Sequence, residues 1–365
     1  MKIVFSTDGL GLGGKEKQLI QLYRFLSERG HEVYILTAKK LSANTFLTEI
    51  EKNDNNILEL SSRNYILGGI QFKQIVRKIC PDVIVNWDTR SALWSFFLSI
   101  DCLVINNNLR RGTFLSTKHK FLLKLVAKFS KYNLSNSKAG MKLVRLETNE
   151  NNRVIYNGFI SDSNTLPIIN EEKRIYENIK RLSKHKKIFI NIASFQKHKG
   201  QLTILEALNE LNDDNIVIVL VGDGPEKDKI KNEIKRMDIE KQIILTGSIS
   251  NPQPFLTLSL AYINSSSGEG CSNSIIEAMH SYLPIITTPH GGTSEIIFNE
   301  MTYFFNYGDH KSLKKHMLNL SSFKGIENKT KEEYKSHLYK FNFHNNSTSF
   351  ENFIKFCYLQ YHKKH

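Results

Sequence analysis

The sequence has few cysteines and no long apolar run, and it opens without a recognisable leader segment. Its four cysteines, Cys80, Cys102, Cys271 and Cys357, are widely scattered, which disfavours both a disulfide framework and a zinc-like pairing. No apolar run approaches the roughly 20 residues that a bilayer-spanning helix needs. The N-terminus leads directly into a strand pattern without the cleavage site of a secretory signal. We therefore expect reduced thiols, no metal site and a cytoplasmic location.

The length and net charge of the chain indicate how many domains it has and what kind of partner it binds. The 365 residues exceed the roughly 250 to 300 at which one core stops growing, so we expect two domains. Lys and Arg total 50 against 36 Asp and Glu, which gives a net charge of +14 with neutral His. This excess favours an anionic partner such as a nucleotide, a nucleic acid or an acidic lipid. No recognisable nucleic-acid-binding motif accompanies the charge, so we expect no nucleic acid partner.

Short apolar runs alternate with helical patterns in both halves of the chain. A strand at 3–6, a helix at 15–29 and a strand at 32–37 open the first half, and a second series begins with a strand at 187–193. This alternation is typical of α/β domains with parallel sheets, which bind ligands at the carboxyl ends of their strands. A turn signal at Asn157-Gly158 and a following polar stretch place the boundary near residue 160.

Residues 263–292 are the most informative stretch. A buried strand at 261–264 leads into a polar turn, and Ser272 or Asn273 caps a helix that runs to about Tyr282. The N–H groups and dipole of such a helix favour a phosphate there. Glu269 and Glu277 flank this point and, since like charges repel, each is better suited to accept hydroxyl hydrogens from a sugar or ribose. The pattern predicts a site for a nucleotide diphosphate that carries a sugar.

This segment resembles the donor site of the glycosyltransferase group 1 family, retaining sugar transferases with the GT-B fold, in which two glutamates also stand eight positions apart. The resemblance implies that Glu269 contacts the donor sugar near the reacting centre and that Glu277 holds the ribose. It also implies donor contacts from four residues between them. These are Gly270, Cys271, Ser272 and Asn273. Relatives usually have an aromatic residue and a second glycine where this chain has Cys271-Ser272.

The family also implies an architecture. We expect an α/β protein of GT-B type, with two Rossmann-like domains facing across an interdomain cleft. Residues 1–160 would form the acceptor-side domain and 161–345 the domain that binds the nucleotide-sugar donor. A C-terminal helix at about 346–365 would cross back to the first domain.

Lys199 is the candidate cation for the leaving group. It follows the first strand of the second domain, and a positioned cation stabilises the charge that accumulates on a departing phosphate. With Glu269 it forms the predicted catalytic pair. Relatives generally carry an arginine five positions earlier, where this chain has Ser194.

A glycine-rich loop, 9–14, follows the first strand and precedes a helix, as in dinucleotide-binding proteins. The second strand is followed by Thr37-Ala38-Lys39-Lys40 and not by the acidic residue that would hold the ribose of NAD. The loop resembles instead the first loop of the glycosyltransferase family, which implies that Gly13 and Gly14 lie near the donor diphosphate. A tight turn without a ligand is the alternative.

Polar residues also follow two later strands of the first domain. Asp88 and Arg110 are candidate contacts to the acceptor or the sugar, although an Asp in this position often only closes a turn. Trp87 either stacks on a sugar ring or belongs to the core.

Part of the positive excess lies between Arg110 and Lys142, where Lys120, Lys124, Lys128 and Lys131 recur at helical spacing beside apolar residues. This amphipathic pattern indicates either a solvated face above the core or contact with an anionic membrane surface or a lipid-linked acceptor.

We therefore expect a metal-independent retaining glycosyltransferase without a cofactor. It would move a hexosyl-type group from a nucleotide diphosphate sugar, UDP-linked in preference to GDP-linked, to a glycan or lipid-linked acceptor in the synthesis of a cell-surface polysaccharide such as capsule or lipopolysaccharide. It would work in the cytoplasm, including at the inner face of the cell membrane. The alternatives are a noncatalytic GT-B partner of another transferase and a GT-B-fold sugar epimerase.

Overall fold

The computed structural model of the protein describes residues 1–38, 45–47, 51, 54–62, 64–97, 102–110, 116–160, 170–323 and 325–363. Lys39 and Lys40 of the sequence argument lie outside these ranges. The chain divides into two compact units. The first unit combines Met1–Gly158 with Phe343–His365, and the second is Phe159–Asn342.

The first unit is built on a seven-stranded sheet with strand order β3-β2-β1-β4-β5-β6-β7, in which every pairing is parallel. Its strands are β1 Lys2–Thr7, β2 Glu32–Thr37, β3 Ile57–Glu59, β4 Val83–Asn86, β5 Leu103–Leu109, β6 Tyr132–Ser135 and β7 Asn152–Val154. Its described helices, numbered in chain order, are α1 Gly14–Glu28, α2 Tyr65–Ile79, α3 Thr89–Phe97, α4 Thr117–Phe129, α5 Lys138–Leu143 and α14 Phe343–His362.

The second unit holds a six-stranded parallel sheet with strand order β10-β9-β8-β11-β12-β13. Its strands are β8 Lys187–Ile192, β9 Ile216–Val221, β10 Ile243–Gly247, β11 Ala261–Asn264, β12 Ile285–Thr287 and β13 Thr302–Phe304. Its described helices are α6 Asn170–Leu182, α7 Gln201–Leu211, α8 Lys227–Arg236, α9 Gln253–Leu256, α10 Asn273–His280, α11 Thr293–Ile296, α12 His310–Leu320 and α13 Asn328–Leu338.

The central strands are apolar because helices cover both faces of a parallel sheet. All six residues of β9 are buried, for example. In the first unit one face of the sheet packs under α1 and α14, and the other face packs under α2 and α3. Trp87 belongs to the first of these cores: it is 1% exposed, and its indole N–H donates to the carbonyl of Lys15 at 3.2 Å. The structure therefore settles the choice left open for Trp87 in favour of a core residue.

The C-terminal helix returns to the first unit, as the sequence resemblance implied. Phe350, Phe353 and Cys357 of α14 are buried in the same core as α1 and the strands. The helix begins at Phe343, three residues before the expected start at about 346. Its polar first turn is held by contacts invisible in the sequence, since the amide of Asn346 donates to the carbonyl of Tyr156 at 3.2 Å.

Among the described residues, none of the helices combines the length and apolar character of a bilayer-spanning segment.

Candidate functional site

The candidate catalytic pair is joined in the second unit. Lys199 ends a short 3-10 turn after β8, and Glu269 lies in the loop after β11. These two strands are neighbours in the sheet, so their carboxyl ends meet at the same edge. The ammonium of Lys199 donates to Oε1 of Glu269, and the two side chains are 17% and 18% exposed. A cation and a carboxylate are thus held in contact at the carboxyl edge of a parallel sheet, partly shielded from water.

Two serines in the loop after β11 hold the backbone of the loop after β8 by hydrogen bonds. The hydroxyl of Ser265 donates to the carbonyl of Lys199 at 2.7 Å, and the backbone N–H of Ser267 donates to that of His198 at 2.8 Å. Gly200 has φ +69°, and a Cβ there would lie 2.3 Å from the carbonyl oxygen of Ser265. Because only glycine allows this approach, the backbone that carries Lys199 is fixed against the backbone that leads to Glu269.

The backbone of Glu269 is held by a second glycine loop. The N–H of Gly292 donates to the carbonyl of Glu269 at 2.9 Å, and a Cβ on Gly291, which has φ +53°, would lie 2.3 Å from the same oxygen. Two buried polar atoms flank this glycine pair, Nε2 of His290 before it and Oγ1 of Thr293 after it, and neither has a hydrogen-bond partner among the described residues. Neither residue is among the site residues that the sequence predicts.

Helix α10 begins where the sequence predicted. Ser272 is the N-cap residue, but its side chain does not cap the helix; its hydroxyl lies 3.2 Å from that of Ser274. Gly270, Cys271 and Ser272 are buried, and Asn273 is half-buried. The helix N-terminus therefore adjoins the loop that carries Glu269, and its dipole favours an anion there.

Glu277 lies on the buried side of α10, one turn into the helix, and is 6% exposed. Its backbone carbonyl and the hydroxyl of Ser281 both accept from the amide of Gln253, at 3.5 and 2.9 Å. The second unit thus collects Lys199, Glu269, the start of α10 and Glu277 from two adjacent strand ends.

The glycine loop of the first unit is tied to Asp88, which is 5% exposed. Its Oδ1 accepts from the ammonium of Lys15 at 2.6 Å, while its Oδ2 accepts from the hydroxyl of Thr7 and the N–H of Asp8, both at 2.8 Å. Burial alone would raise the pKa of Asp88, but the Lys15 ammonium and the N–H of Asp8 outweigh it and hold that pKa below its ordinary value. Both oxygens of Asp88 are therefore engaged within the unit.

The sequence did not single out Lys15, although it directly follows the glycine-rich loop 9–14. Gly13 is the N-cap of α1, and a Cβ there would meet the carboxylate of Glu16 at 2.1 Å. Glycine at position 13 therefore leaves room for the Glu16 side chain to lie over the start of the helix. The neighbouring Lys15 side chain reaches Asp88.

Arg110 lies on the ring face of Trp87, with the guanidinium carbon 4.1 Å from the ring centroid. Its guanidinium also donates to Oδ1 of Asn157 at 2.6 Å and to Oδ1 of Asn107 at 3.3 Å. Neighbouring Asn108 is 5% exposed, and neither side-chain polar atom has a hydrogen-bond partner within the described part of the chain. The structure thus places Arg110 in a polar group formed by the carboxyl end of β5 and the segment that follows β7.

No cluster of three or more His, Cys, Asp or Glu side chains suited to a metal ion occurs among the residues the structure describes.

Comparisons with known proteins identify the class. Residues 172–337 match the family model described as glycosyl transferases group 1. An uncharacterized glycosyltransferase of Methanocaldococcus jannaschii is 25% identical over 71% of this chain and 70% of its own length. The N-acetylgalactosamine-N,N'-diacetylbacillosaminyl-diphospho-undecaprenol 4-alpha-N-acetylgalactosaminyltransferase of Campylobacter jejuni is 23% identical over 80% of this chain and 81% of its own.

Solved structures share the fold over nearly the whole chain. HepE of Anabaena in complex with UDP has a TM-score of 0.76 at 17% identity and covers 97% of this chain and 100% of its own. The sucrose-phosphate synthase of Thermosynechococcus elongatus has a TM-score of 0.81 at 14% identity, with 97% and 98% covered. The fold is therefore that of the GT-B glycosyltransferases, and the second unit carries a glycosyl transferases group 1 domain. Both confirm what the sequence resemblance implied.

Proposed function

We propose that the protein is a retaining glycosyltransferase that moves a sugar from a UDP-sugar to a glycan or lipid-linked acceptor. The observation that carries the proposal is the contact between Lys199 and Glu269 beside the N-terminus of α10. Two comparisons support the choice of substrates. HepE is solved with UDP and with UDP-glucose, and the Campylobacter jejuni relative is named for an undecaprenol diphosphate acceptor.

Lys199 and α10 act on the leaving group in this proposal. Transfer breaks the bond between the anomeric carbon and the phosphate oxygen, so negative charge accumulates on the departing diphosphate. The Lys199 ammonium and the N–H groups at the start of α10 offer positive charge that is positioned before the reaction begins. Such groups stabilise the transition state more than the ground state, which is what accelerates the chemical step.

The two glutamates hold the donor. Glu269 accepts a hydroxyl hydrogen of the donor sugar and at the same time keeps the Lys199 ammonium aimed at the phosphate. Glu277 accepts the ribose hydroxyls of the nucleotide. Gly270 to Asn273 line the diphosphate between them. No carboxylate acts as a nucleophile; instead the acceptor attacks from the leaving-group face, and the departing phosphate takes its proton.

The first unit supplies the acceptor side. Gly13 and Gly14 approach the donor diphosphate through their backbone. Asp88, whose oxygens are already engaged by Lys15, Thr7 and Asp8, acts by positioning that loop. Arg110, held by the ring of Trp87 and by two asparagine side chains, contacts the acceptor or the transferred sugar. The reaction needs no metal ion or cofactor, and its product belongs to a cell-surface polysaccharide such as capsule or lipopolysaccharide.

The test is donor consumption by the purified chain. UDP-glucose, UDP-galactose, UDP-N-acetylglucosamine, UDP-N-acetylgalactosamine and GDP-mannose are incubated with the protein, in EDTA and in Mg²⁺, and nucleotide release is followed. The proposal predicts slow hydrolysis of one UDP-sugar at equal rates in both buffers, and NMR then reads the configuration of the released sugar before it equilibrates. Consumption of no donor contradicts a transferase, dependence on Mg²⁺ contradicts the metal-independent mechanism, and an inverted first product contradicts retention.

A further inference from the structure

Three helices of the first unit are basic and contain no acidic residue. Helix α3 contacts both α2 and α4, so the three form a continuous layer. Their sequences contain eight Lys or Arg and no Asp or Glu. The basic residues are Lys73, Arg77, Lys78, Arg90, Lys118, Lys120, Lys124 and Lys128. This single layer therefore accounts for more than half of the net charge of +14.

The same helices expose large apolar side chains. Ile66 and Leu67 in the first turn of α2 are 73% and 56% exposed, and Phe121 and Phe129 of α4 are 65% and 53% exposed. Tyr65, Ile70 and Phe96 are also exposed. A single exposed apolar residue is ordinary, but seven on three adjacent helices form a patch of the kind that marks an interaction site.

Aromatic contacts join the patch across the helices. The rings of Phe96 and Phe129 lie 5.2 Å apart between α3 and α4, and those of Tyr65 and Trp94 lie 5.7 Å apart between α2 and α3. Arg90 lies 6.0 Å from the centroid of the Trp94 ring. The basic and apolar side chains thus belong to one surface, which we call the basic apolar face and define as the eight basic and seven apolar residues of α2, α3 and α4 named above.

We infer that the basic apolar face docks on an anionic lipid bilayer. A bilayer interface takes up aliphatic and aromatic side chains, and its anionic headgroups attract nearby Lys and Arg. Long lysine side chains can keep their ammonium groups at headgroup level while their stems cover apolar surface. The phosphates of a nucleic acid would pair with the Lys and Arg side chains, but they would offer no apolar surface to Ile66, Leu67 and Ile70. If two copies of the chain met through this face, eight positive charges would face eight positive charges, and the two copies would repel each other.

This surface is larger than the sequence indicated. The amphipathic pattern pointed only to Lys120, Lys124 and Lys128 on α4, whereas the apolar first turn of α2 is distant in sequence and adjacent only in the fold. The inference goes beyond the proposed function and does not depend on it, because vesicle binding is measured without any donor or acceptor. If both hold, docking brings the enzyme to a lipid-linked acceptor.

The experiment is co-sedimentation of the full chain with vesicles at low salt. One set contains equal parts of phosphatidylglycerol and phosphatidylcholine, and the other contains phosphatidylcholine alone. We expect binding to the anionic vesicles that falls as salt is added. Each lysine near an anionic surface contributes about fivefold in affinity, so Lys124→Gln with Lys128→Gln weakens binding about thirtyfold. Ile66→Asn with Leu67→Asn weakens it by at least about tenfold, since two buried aliphatic side chains are lost.

Matched controls come from other surfaces. Lys231→Gln with Lys235→Gln removes two exposed lysines from α8, and Leu359→Asn changes an apolar residue of α14 that is 60% exposed. Both leave vesicle binding unchanged if the inference is right. Equal binding to neutral vesicles, no binding at low salt, or a loss in the controls as large as in the α2 and α4 variants overturns it. So does a dimer, seen by light scattering, that Ile66→Asn dissolves, or duplex DNA binding that these variants abolish while vesicle binding persists.

Discussion

Lys199 and Glu269 are separated by 70 positions in the sequence and lie in contact in the fold. The contact exists because β8 and β11, which carry them, are adjacent in the sheet although two strands intervene along the chain. Each side chain keeps less than a fifth of its surface exposed. Their attraction is therefore less screened than that of an ion pair on the open surface, and changing one of them alters the other.

Removal of Glu277 should weaken nucleotide binding. Hydrogen bonds to a charged group contribute about 1.5 to 3 kcal/mol, so Glu277→Ala should raise the Kd for UDP by about 10- to 100-fold. Isothermal titration with UDP measures this. Glu300→Ala, which changes an exposed glutamate of the same unit, should leave the Kd unchanged. An unaltered Kd for UDP in Glu277→Ala would contradict the proposal that Glu277 binds the ribose.

Two glycines with positive φ provide a matched test of the loop that holds Glu269. Gly291→Ala places a Cβ 2.3 Å from the carbonyl oxygen of Glu269, whereas Gly308→Ala, at φ +81°, meets nothing within 4 Å. Both changes carry the strain of a left-handed residue, about 1 kcal/mol. Only Gly291→Ala should displace Glu269 and lower donor turnover by about tenfold or more. Equal turnover in the two variants would show that this loop does not position the site.

Asp88 should stabilise the first unit through Lys15. Asp88→Asn leaves the Lys15 ammonium beside a neutral amide and should cost about 2 kcal/mol, less than the 3 to 5 kcal/mol of a fully buried pair, because Lys15 keeps 27% of its side chain exposed. Both tryptophans, Trp87 and Trp94, lie in this unit, so tryptophan fluorescence in urea reports its unfolding.

The double variant Asp88→Asn with Lys15→Met removes both charges but keeps side chains of similar size, so it distinguishes the effect of the unpaired charge from that of altered packing. Removing both charges should recover most of the lost free energy of unfolding, since no unpaired charge remains. A double variant as unstable as Asp88→Asn alone would mean that the ion pair is not the cause.

Glu351 should make the first unit sensitive to acid. Its carboxylate is 2% exposed and pairs with Arg29, His31 and Lys355. Burial alone would raise the pKa of Glu351, but the hydrogen bonds from Lys355, His31 and Arg29 lower it from 4.5 to about 2. The folded state therefore binds this proton less readily than the unfolded state. The resulting stability, at most about 3 kcal/mol, is complete above about pH 5 and is lost as pH falls from there through 2.

The comparison variant for this prediction is Glu150→Gln, at an exposed position of the same unit. Tryptophan fluorescence in urea at pH 7 and pH 3 should show Glu351→Gln losing stability mainly at pH 7, with a flatter dependence on pH than the wild type. A parallel pH dependence in wild type and Glu351→Gln would contradict the assignment, whatever Glu150→Gln does.

The sequence predicted the fold class and the start of α10 because both follow from local patterns and from the resemblance they carry, whereas the roles of Lys199, Glu269 and Glu277 stay predictions. Apolar runs mark the buried strands, and the turn before Asn273 marks the start of α10. Contacts that depend on strand order were not predictable in this way. Nothing in the linear pattern shows that β11 returns to lie beside β8, so the direct contact between Lys199 and Glu269 could not be predicted, although both were expected to be catalytic. Lys15 was passed over for the same reason, since its partner Asp88 lies 73 positions away.

The apolar first turn of α2 is a similar case. Tyr65, Ile66 and Leu67 have the composition of core residues, and only the packing shows that they face solvent.

The most direct test of the account is the turnover of the donor by Lys199→Ala against Lys197→Ala. Lys197 is an exposed lysine two positions away in the same 3-10 turn, so it controls for the loss of a positive charge in this loop. The account predicts that Lys199→Ala lowers kcat about 100- to 1,000-fold with little change in KM, because its charge acts on the departing phosphate, while Lys197→Ala stays near wild type. A kcat within a few-fold of wild type in Lys199→Ala would contradict the central claim.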